Sequence, residues 1–279
     1  MRMRIAVVTD VHVGPRASFG GKLRKLTHEA PALLRAFVER MNREVKPDLV
    51  VHLGDAIEDE SHDVDLERYR EVVRILGELG CPVRHVAGNH DTITLSPMEL
   101  RDAWGDAGRA LSGAPPDQLY YAEDAGPVRL VVLHSHEIKD EIVFLDEPQI
   151  TWLERELSTA DKPVVLFCHH ALADQILVGN RWFEKRPNLS LVRERRRVRD
   201  LVAASGNVKL VVNGHMHWNH FAVHDAIGYV TVQSLIENLD DDAPGRAARA
   251  HAVIDLTPGR VLVSLDGEHV ARYQLEASS

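Results

Sequence analysis

Cysteine is scarce in this chain. Its 279 residues include two, Cys81 and Cys168, each beside an apolar run where a thiol acts as a small core hydrophobe, so a disulfide scaffold is excluded and a reducing cytoplasm fits. No apolar run approaches the roughly 20 residues of a membrane-spanning helix, which excludes an integral membrane protein of that kind. The start, Met1 to Asp10, carries two arginines but an apolar stretch of only four residues. That is too short for a signal-peptide core, and it reads instead as a first strand. Basic charge is not in excess, with 33 Lys+Arg against 42 Asp+Glu and a net charge of −9, so no nucleic-acid polymer is expected as partner. Repeats, low-complexity tracts and a convincing linker are also missing. With 44% hydrophobic and 27% charged residues, the composition is that of an ordinary globular protein, and one domain over 1–279 is the expectation.

What is abundant is histidine, 16 residues beside the 42 acids, and imidazole with carboxylate is the usual ligand set of hard and borderline metals. Near-continuous apolar runs at Ile5 to Thr9, Asp48 to Leu53, Val83 to Ala87, Val164 to Cys168 and Lys209 to Val212 read as strands covered on both faces. Helical periodicity separates them at Ala30 to Glu44, Asp65 to Leu79, Gln149 to Leu157 and Leu191 to Ala204. Strand and helix alternate through the first 90 residues, which implies βαβ units. Strand pairs follow at Leu119 to Glu123 with Val128 to Leu133, at Phe221 to His224 with Tyr229 to Gln233, and at His251 to Leu256 with Val261 to Leu265. Two packed sheets with helices outside are expected. Gly105 to Pro116 and Asp240 to Arg249 read as surface loops.

Each buried-looking strand ends in a metal-binding side chain. The ends read Thr9-Asp10-Val11-His12, His52-Leu53-Gly54-Asp55, Ala87-Gly88-Asn89-His90-Asp91, Cys168-His169-His170 and Asn213-Gly214-His215-Met216-His217. Ligands of open α/β sheets bind beyond the carboxyl ends of the strands, so five stretches converge on one crevice. That many donors exceed what one ion uses, which points to two metals. Carboxylate bridges two ions readily and imidazole does not, so Asp55 is the natural shared ligand. Asp10, His12 and one histidine remain for one ion, and Asn89 with two histidines for the other. Gly54, Gly88 and Gly214 directly precede ligands, where the lack of a Cβ lets the backbone turn sharply beside the ions.

In this order, Asp-x-His, Gly-Asp, Gly-Asn-His-Asp, His and Gly-His-x-His resemble the calcineurin-like metallophosphoesterase family, from Asp10 to His217. The resemblance implies a four-layer α/β/β/α sandwich. It implies that Asp10, His12, Asp55 and His217 hold one metal, and Asp55, Asn89, His169 and His215 the second. It also implies that His90 lies over the site, stabilises the pentacovalent phosphorane and protonates the leaving oxygen, with Asp91 orienting it. Gln149-x-x-Trp152-Leu153 leading into the His169 strand is similar to the cyclic-nucleotide phosphodiesterase branch. The chain departs from that branch at Ala171-Leu172, where proline is usual, and at Leu133-His134-Ser135, where the branch often has Leu-Asp-Ser.

The substrate side is less constrained. Arg16, Lys22, Arg24 and Lys25 follow the first ligand pair without an intervening acid and are candidates to clamp an anionic group. Trp182, with Phe183, Lys185 and Arg186, is a candidate lid that stacks an apolar or nucleobase group, and core packing of Trp182 is as good a reading. His170 reads as a packing residue or substrate contact, His220 as a rim residue, and His134 with His136 as a pair on one strand face. The basic run Arg193 to Arg199 reads as a solvated helix face. The function expected is hydrolysis of phosphodiesters, of cyclic-nucleotide or glycerophosphodiester type, by hydroxide shared between two divalent ions with His90 as proton donor. Phosphomonoesterase is the alternative on the same residues, followed by a non-catalytic scaffold and a nuclease. Mn, Fe, Zn or Co suits the mixed N/O ligands, and homo-oligomerisation is left open.

Overall fold

A computed structural model describes residues 2–105, 108–111 and 114–276. The first strands and helices in chain order are β1 (Met3–Val8), α1 (Ala30–Arg40), β2 (Leu49–His52), α2 (His62–Leu76), β3 (Val83–His85), α3 (Asp91–Thr94) and α4 (Pro97–Ala103). The hairpins β4 (Tyr121–Ala125) with β5 (Val128–Leu133) and β6 (His136–Ile138) with β7 (Ile142–Phe144) come next, then α5 (Glu147–Thr159) and β8 (Val164–Cys168). The chain continues through α6 (Arg195–Ser205), β9 (Val208–Asn213), β10 (His220–His224), β11 (Ile227–Thr231), β12 (His251–Thr257), β13 (Arg260–Asp266) and β14 (Ala271–Glu276).

Two six-stranded mixed sheets result, ordered β14-β13-β12-β1-β2-β3 and β10-β11-β9-β8-β5-β4. In the first, β1, β2 and β3 run parallel, with Val8 opposite His52 and His52 opposite His85. In the second, β5, β8, β9 and β11 run parallel. The apolar runs divide between two faces as covered strands must. Val165 and Phe167 of β8 pack with Leu210, Val212 and Val230 against the first sheet and its helices, which contribute Leu34 and Phe37 of α1 and Tyr69 and Val72 of α2. Val164, Leu166 and Cys168 face the other way, onto Ile150, Leu153 and Leu157 of α5 and Val198 and Val202 of α6. The order helices, sheet, sheet, helices is the sandwich expected.

Several boundaries differ from the sequence expectation, for local reasons. Leu191 and Val192 do not open a helix: they bridge to Ala171, and Val192 N–H donates to the Ala171 carbonyl at 3.0 Å, so α6 begins at Arg195. Arg195 and Arg199 of the basic run pair with Asp174 and Arg197 with Glu147, as a solvated face does. His134 and His136 do not share a strand, because β5 stops at Leu133; His134 is buried and His136 half-exposed, their rings edge to face at 4.7 Å. The Gly105 to Pro116 stretch contains a short helical turn, Gly108–Leu111, with Leu111 buried, and its residues 106–107 and 112–113 lie outside the described ones. Among the described residues no helix is long and apolar enough to cross a membrane.

Candidate metal centre and active site

Parallel strands that start at one edge of a sheet end at the other, so the loops after β1, β2 and β3 lie side by side. Those after β8 and β9 meet them from the second sheet. Main-chain bonds from Asp10 N–H to the Gly54 carbonyl and from His12 N–H to the Asp55 carbonyl, both 3.0 Å, tie the first two loops together. His215 N–H donates to Asp10 Oδ2 at 2.9 Å and joins the sheets. The turns are sharp: Asp10, His12, Asp55, His215 and His217 all have φ between 46° and 64°, a left-handed conformation that costs non-glycine residues on the order of 1 kcal/mol or more each and persists where surroundings over-determine it. A Cβ on Gly88 would press into Asp55 Oδ1, and one on Gly214 would lie 2.8 Å from Asp10 Oδ2. Gly88 thus makes room for the Asp55 carboxylate and Gly214 for Thr9 and the Asp10 carboxylate, while a Cβ on Gly54 would meet His169 Nδ1 and the Gly88 backbone.

The donors converge. His12 Nε2 and His217 Nε2 face each other at 3.2 Å, with Asp10 Oδ1 3.8 and 3.3 Å from them and Asp55 Oδ2 3.6 Å from His12 Nε2. Asp55 Oδ2 is also 3.2 Å from His169 Nε2. Asp10, His12 and His217 form one group able to hold a cation, Asp10, Asp55 and His169 a second, and His169, His170 and His215 a third. Asp10 Oδ1, Asn89 Oδ1 and His169 Nε2 are buried without a hydrogen bond. Buried polar atoms are rarely left so, and oxygen and imidazole nitrogen aimed at a common point are the donor set of divalent transition metals. The residues thus fit the metals implied by the sequence.

The far side of His169, His215 and His217 is hydrogen-bonded, which selects the nitrogen left for the cation, whereas His12 Nδ1 has a carboxylate near it without a hydrogen bond. His12 Nδ1 lies 3.1 Å from Glu58 Oε2 and His217 Nδ1 2.7 Å from Glu237 Oε2. His169 Nδ1 donates to the Leu53 carbonyl at 2.8 Å and His215 Nε2 to the Leu189 carbonyl at 2.9 Å. Burial favours neutral imidazole, but Asp55 outweighs it at His169 and holds the pKa at about 10; at His217, Asp10 and Glu237 hold it at about 9. At His215 burial and the neighbouring His169 push it down to about 3.

A cavity of about 320 Å³ opens over these groups, lined by His12, Asp55, Asn89, His90, His215 and His217 and walled by Phe19, Lys25, Glu58, Trp182 and Phe183. His90 reaches it with its ring edge to face against His12 at 4.8 Å. Its orienting partner differs from expectation. Asp91 does not touch the His90 ring: its carboxylate accepts main-chain N–H bonds from Asp55 at 3.0 Å, Ala56 at 2.8 Å and Gly88 at 2.9 Å, because the first turn of α3 points it inward. Asp59 takes that place, 2.5 Å from His90 Nδ1. Burial opposes the imidazolium of His90, but Asp55 and Asp59 prevail and raise its pKa.

A sequence profile of the calcineurin-like phosphoesterases matches residues 3–219 of this chain. The chain belongs to that family. This phosphoesterase is 30% identical to a probable cyclic nucleotide phosphodiesterase of Synechococcus over 219 residues, 78% of this chain and 74% of that protein. It is 29% identical to the 3′,5′-cyclic adenosine monophosphate phosphodiesterase of Pseudomonas aeruginosa over 187 residues, 66% of this chain and 60% of the other. To a glycerophosphodiester phosphodiesterase of Enterobacter lignolyticus it is 31% identical over 126 residues, 45% and 42% of the two chains. A dimetal phosphatase from Danio rerio has the same fold, with a TM-score of 0.79 at 18% identity and 99% of both chains covered. The chain is a metal-dependent phosphoester hydrolase.

The remaining candidates of this phosphoesterase are placed unevenly. Arg16 and Lys22 are exposed and outside the cavity wall, Lys22 pairing with Asp241 at 3.2 Å; Lys25 of the same run is the one that lines it, 4% exposed and paired with Glu58. His220 opens β10, also outside the wall. His170 is buried with Nδ1 2.8 Å from Ser135 Oγ and its ring 4.0 Å from His215. Trp182 lines the cavity, but its indole N–H donates to Glu237 at 3.2 Å. Glu58, Asp59 and Glu237 were not anticipated. Glu58 and Asp59 follow Asp55 on the same loop, which is a usable signal; Glu237 carries none.

Proposed function

We propose that this phosphoesterase hydrolyses small phosphodiesters at a centre of two divalent ions, with Mn, Fe, Zn or Co as the candidates. Asp10, His12, Asp55 and His217 would hold one ion and Asp55, Asn89, His169 and His215 the other. When bound, such ions neutralise phosphoryl oxygens and lower the pKa of water. The observation that carries the reading is the grouping of these side chains at and beneath one cavity, which His12, Asp55, Asn89, His215 and His217 line, with Asp10 Oδ1, Asn89 Oδ1 and His169 Nε2 unsatisfied. Asp91 holds the loop of Asp55 against that of Gly88. His90 is fixed through Nδ1 by Asp59, so that Nε2 is the nitrogen available to give a proton to the leaving alcohol oxygen. Preference for diesters is supported by the three relatives, each named as a phosphodiesterase.

A single domain is supported by the apolar core, which draws on both sheets. A reducing compartment is supported by two free cysteines. The deciding assay compares bis-p-nitrophenyl phosphate with p-nitrophenyl phosphate on chain stripped of metal and reloaded with Mn²⁺. A higher kcat/KM on the diester is the expected result; preference for the monoester overturns the diester assignment, and inactivity on both with two ions bound overturns the reading.

A further inference from the structure

The two histidines that face each other across the centre, His12 and His217, each have a carboxylate behind them, hydrogen-bonded at His217 and at 3.1 Å without a hydrogen bond at His12, and those carboxylates are contacted by the cavity wall. Glu237 is 2% exposed. Besides His217 it meets the Trp182 indole N–H, 3.2 Å from Oε1 and 3.3 Å from Oε2, while Arg181 stands farther off at 3.8 Å. Glu58 stands between His12 and the ammonium of Lys25. The two arrangements touch: Lys25 Nζ lies 5.4 Å from the centroid of the Trp182 ring, and Phe19 packs on both. Their backbones are zipped as well. Lys25 bridges to Glu237, flanked by Leu26 N–H to the Ile236 carbonyl at 3.0 Å and Asn238 N–H to the Arg24 carbonyl at 2.8 Å.

A carboxylate behind an imidazole fixes its tautomer and ring orientation and raises its basicity as a ligand. A buried carboxylate with one partner can swing about its own torsions, and a second donor restricts that swing; at Glu58 both His12 and Lys25 approach Oε2, and at Glu237 the Trp182 N–H reaches Oε1 as well as the Oε2 that His217 meets. We propose that Trp182 and Lys25 are positioning residues of the metal centre, Trp182 setting His217 through Glu237 and Lys25 setting His12 through Glu58. His169 and His215 differ, since main-chain carbonyls, of Leu53 and of Leu189, orient them and no side chain of the wall is needed. The wall loops at 14–26 and 174–191 thereby contribute to metal affinity as well as to the shape of the cavity. The inference rests on the reading of His12 and His217 as ligands.

The test is a double-mutant cycle read by metal binding, with Mn²⁺ and Zn²⁺ dissociation constants measured by competition against a chromophoric chelator. Glu237→Gln is expected to weaken one ion by about 10–100-fold. Trp182→Phe, which keeps an aromatic ring and removes the N–H, is expected to weaken the same ion, by less than the roughly 10–100-fold of losing the carboxylate itself. The double variant should bind no more weakly than Glu237→Gln alone. Lys25→Met removes a positive charge, which by charge alone tightens cation binding, so weaker binding reports lost positioning. Wild-type affinity in Trp182→Phe with a raised KM would make Trp182 a substrate contact and overturn its role here. Losses that add in the double variant would do the same, including where Trp182→Phe lowers the melting temperature of the metal-free chain, and tighter binding in Lys25→Met would overturn the Lys25 arm. If the wild type binds neither ion the metal reading itself fails, whereas a wild type that binds, with uncoupled variants, defeats only this inference.

Discussion

Adjacent residues of one turn, His90 and Asp91, do different work. His90 faces the cavity and carries no donor toward Asp55 except its main-chain N–H, 3.0 Å from Asp55 Oδ1. Removing its imidazole should therefore leave the metal ligands in place. For His90→Ala we expect kcat to fall by about 100-fold or more, the scale of general-acid catalysis, with metal content by elemental analysis unchanged; loss of both metals would refute the proton-donor role. Asp59→Asn should lower kcat by less. Asp91→Ala is the contrast. It strands three buried N–H groups, of Asp55, Ala56 and Gly88, at a cost of about 3 kcal/mol or more. Urea denaturation should show that loss, and the variant should also bind metal poorly because the Asp55 loop is released.

The helix α5 shows how an element holds the site from a distance. Asp146 caps it, accepting from Gln149 N–H at 2.9 Å, and the cap turns the buried Gln149 side chain toward the end of β5. There Gln149 Oε1 accepts from His134 N–H at 2.8 Å and Nε2 donates to the His134 carbonyl at 2.7 Å, completing the pairing that the strand loses after Leu133. Gln149→Ala leaves both main-chain groups unpaired and should destabilise the fold by about 2 kcal/mol, measured by urea unfolding, while Gln149→Glu keeps the acceptor for His134 N–H but sets a buried carboxylate oxygen against the His134 carbonyl and should cost at least as much at neutral pH. This explains why glutamine stands in the Gln-x-x-Trp-Leu pattern. The strands were legible because coverage on both faces writes a continuous apolar run, and the converging His, Asp and Asn donors because each follows such a run. The β6–β7 hairpin and β14 were not, since three-residue strands and the half-exposed alternation of Ala271–Glu276 leave little apolar signal. Glu58, Asp59 and Glu237 act through contacts made only in three dimensions, and a carboxylate in a loop has no period by which to be recognised.

Across the whole molecule, the centre is also a joint. Asp10, His12, Asp55 and Asn89 follow strands of one sheet, and His169, His215 and His217 follow strands of the other. On the proposed reading, ions held between them would bind only the folded arrangement and so would stabilise it, by about 2.7 kcal/mol per site at 100 times the dissociation constant. In a chain of this length that amounts to a rise of roughly 5–10 °C in melting temperature. The effect depends on pH with a definite sign. In the metal-free fold, the pKa values of His169 and His217 stand at about 10 and about 9, above the ordinary value near 6.5. Their protonation stabilises the metal-free fold fully below that ordinary value, and this contribution is lost as pH rises through the folded values. Metal competes for the same nitrogens, so its contribution grows over the same rise. The difference in melting temperature between Mn²⁺-loaded and EDTA-treated chain should therefore widen from pH 6 to pH 8, measured by scanning calorimetry in a buffer that does not bind Mn²⁺. In Asp55→Asn, whose carboxylate is within reach of both sets of imidazoles, the difference should collapse at every pH. A difference that stays constant with pH in the wild type would mean that His169 and His217 give up no protons when metal binds, either because they are already neutral in the metal-free fold or because they are not the ligands; loss of Mn²⁺ binding in His169→Ala and His217→Ala separates the two.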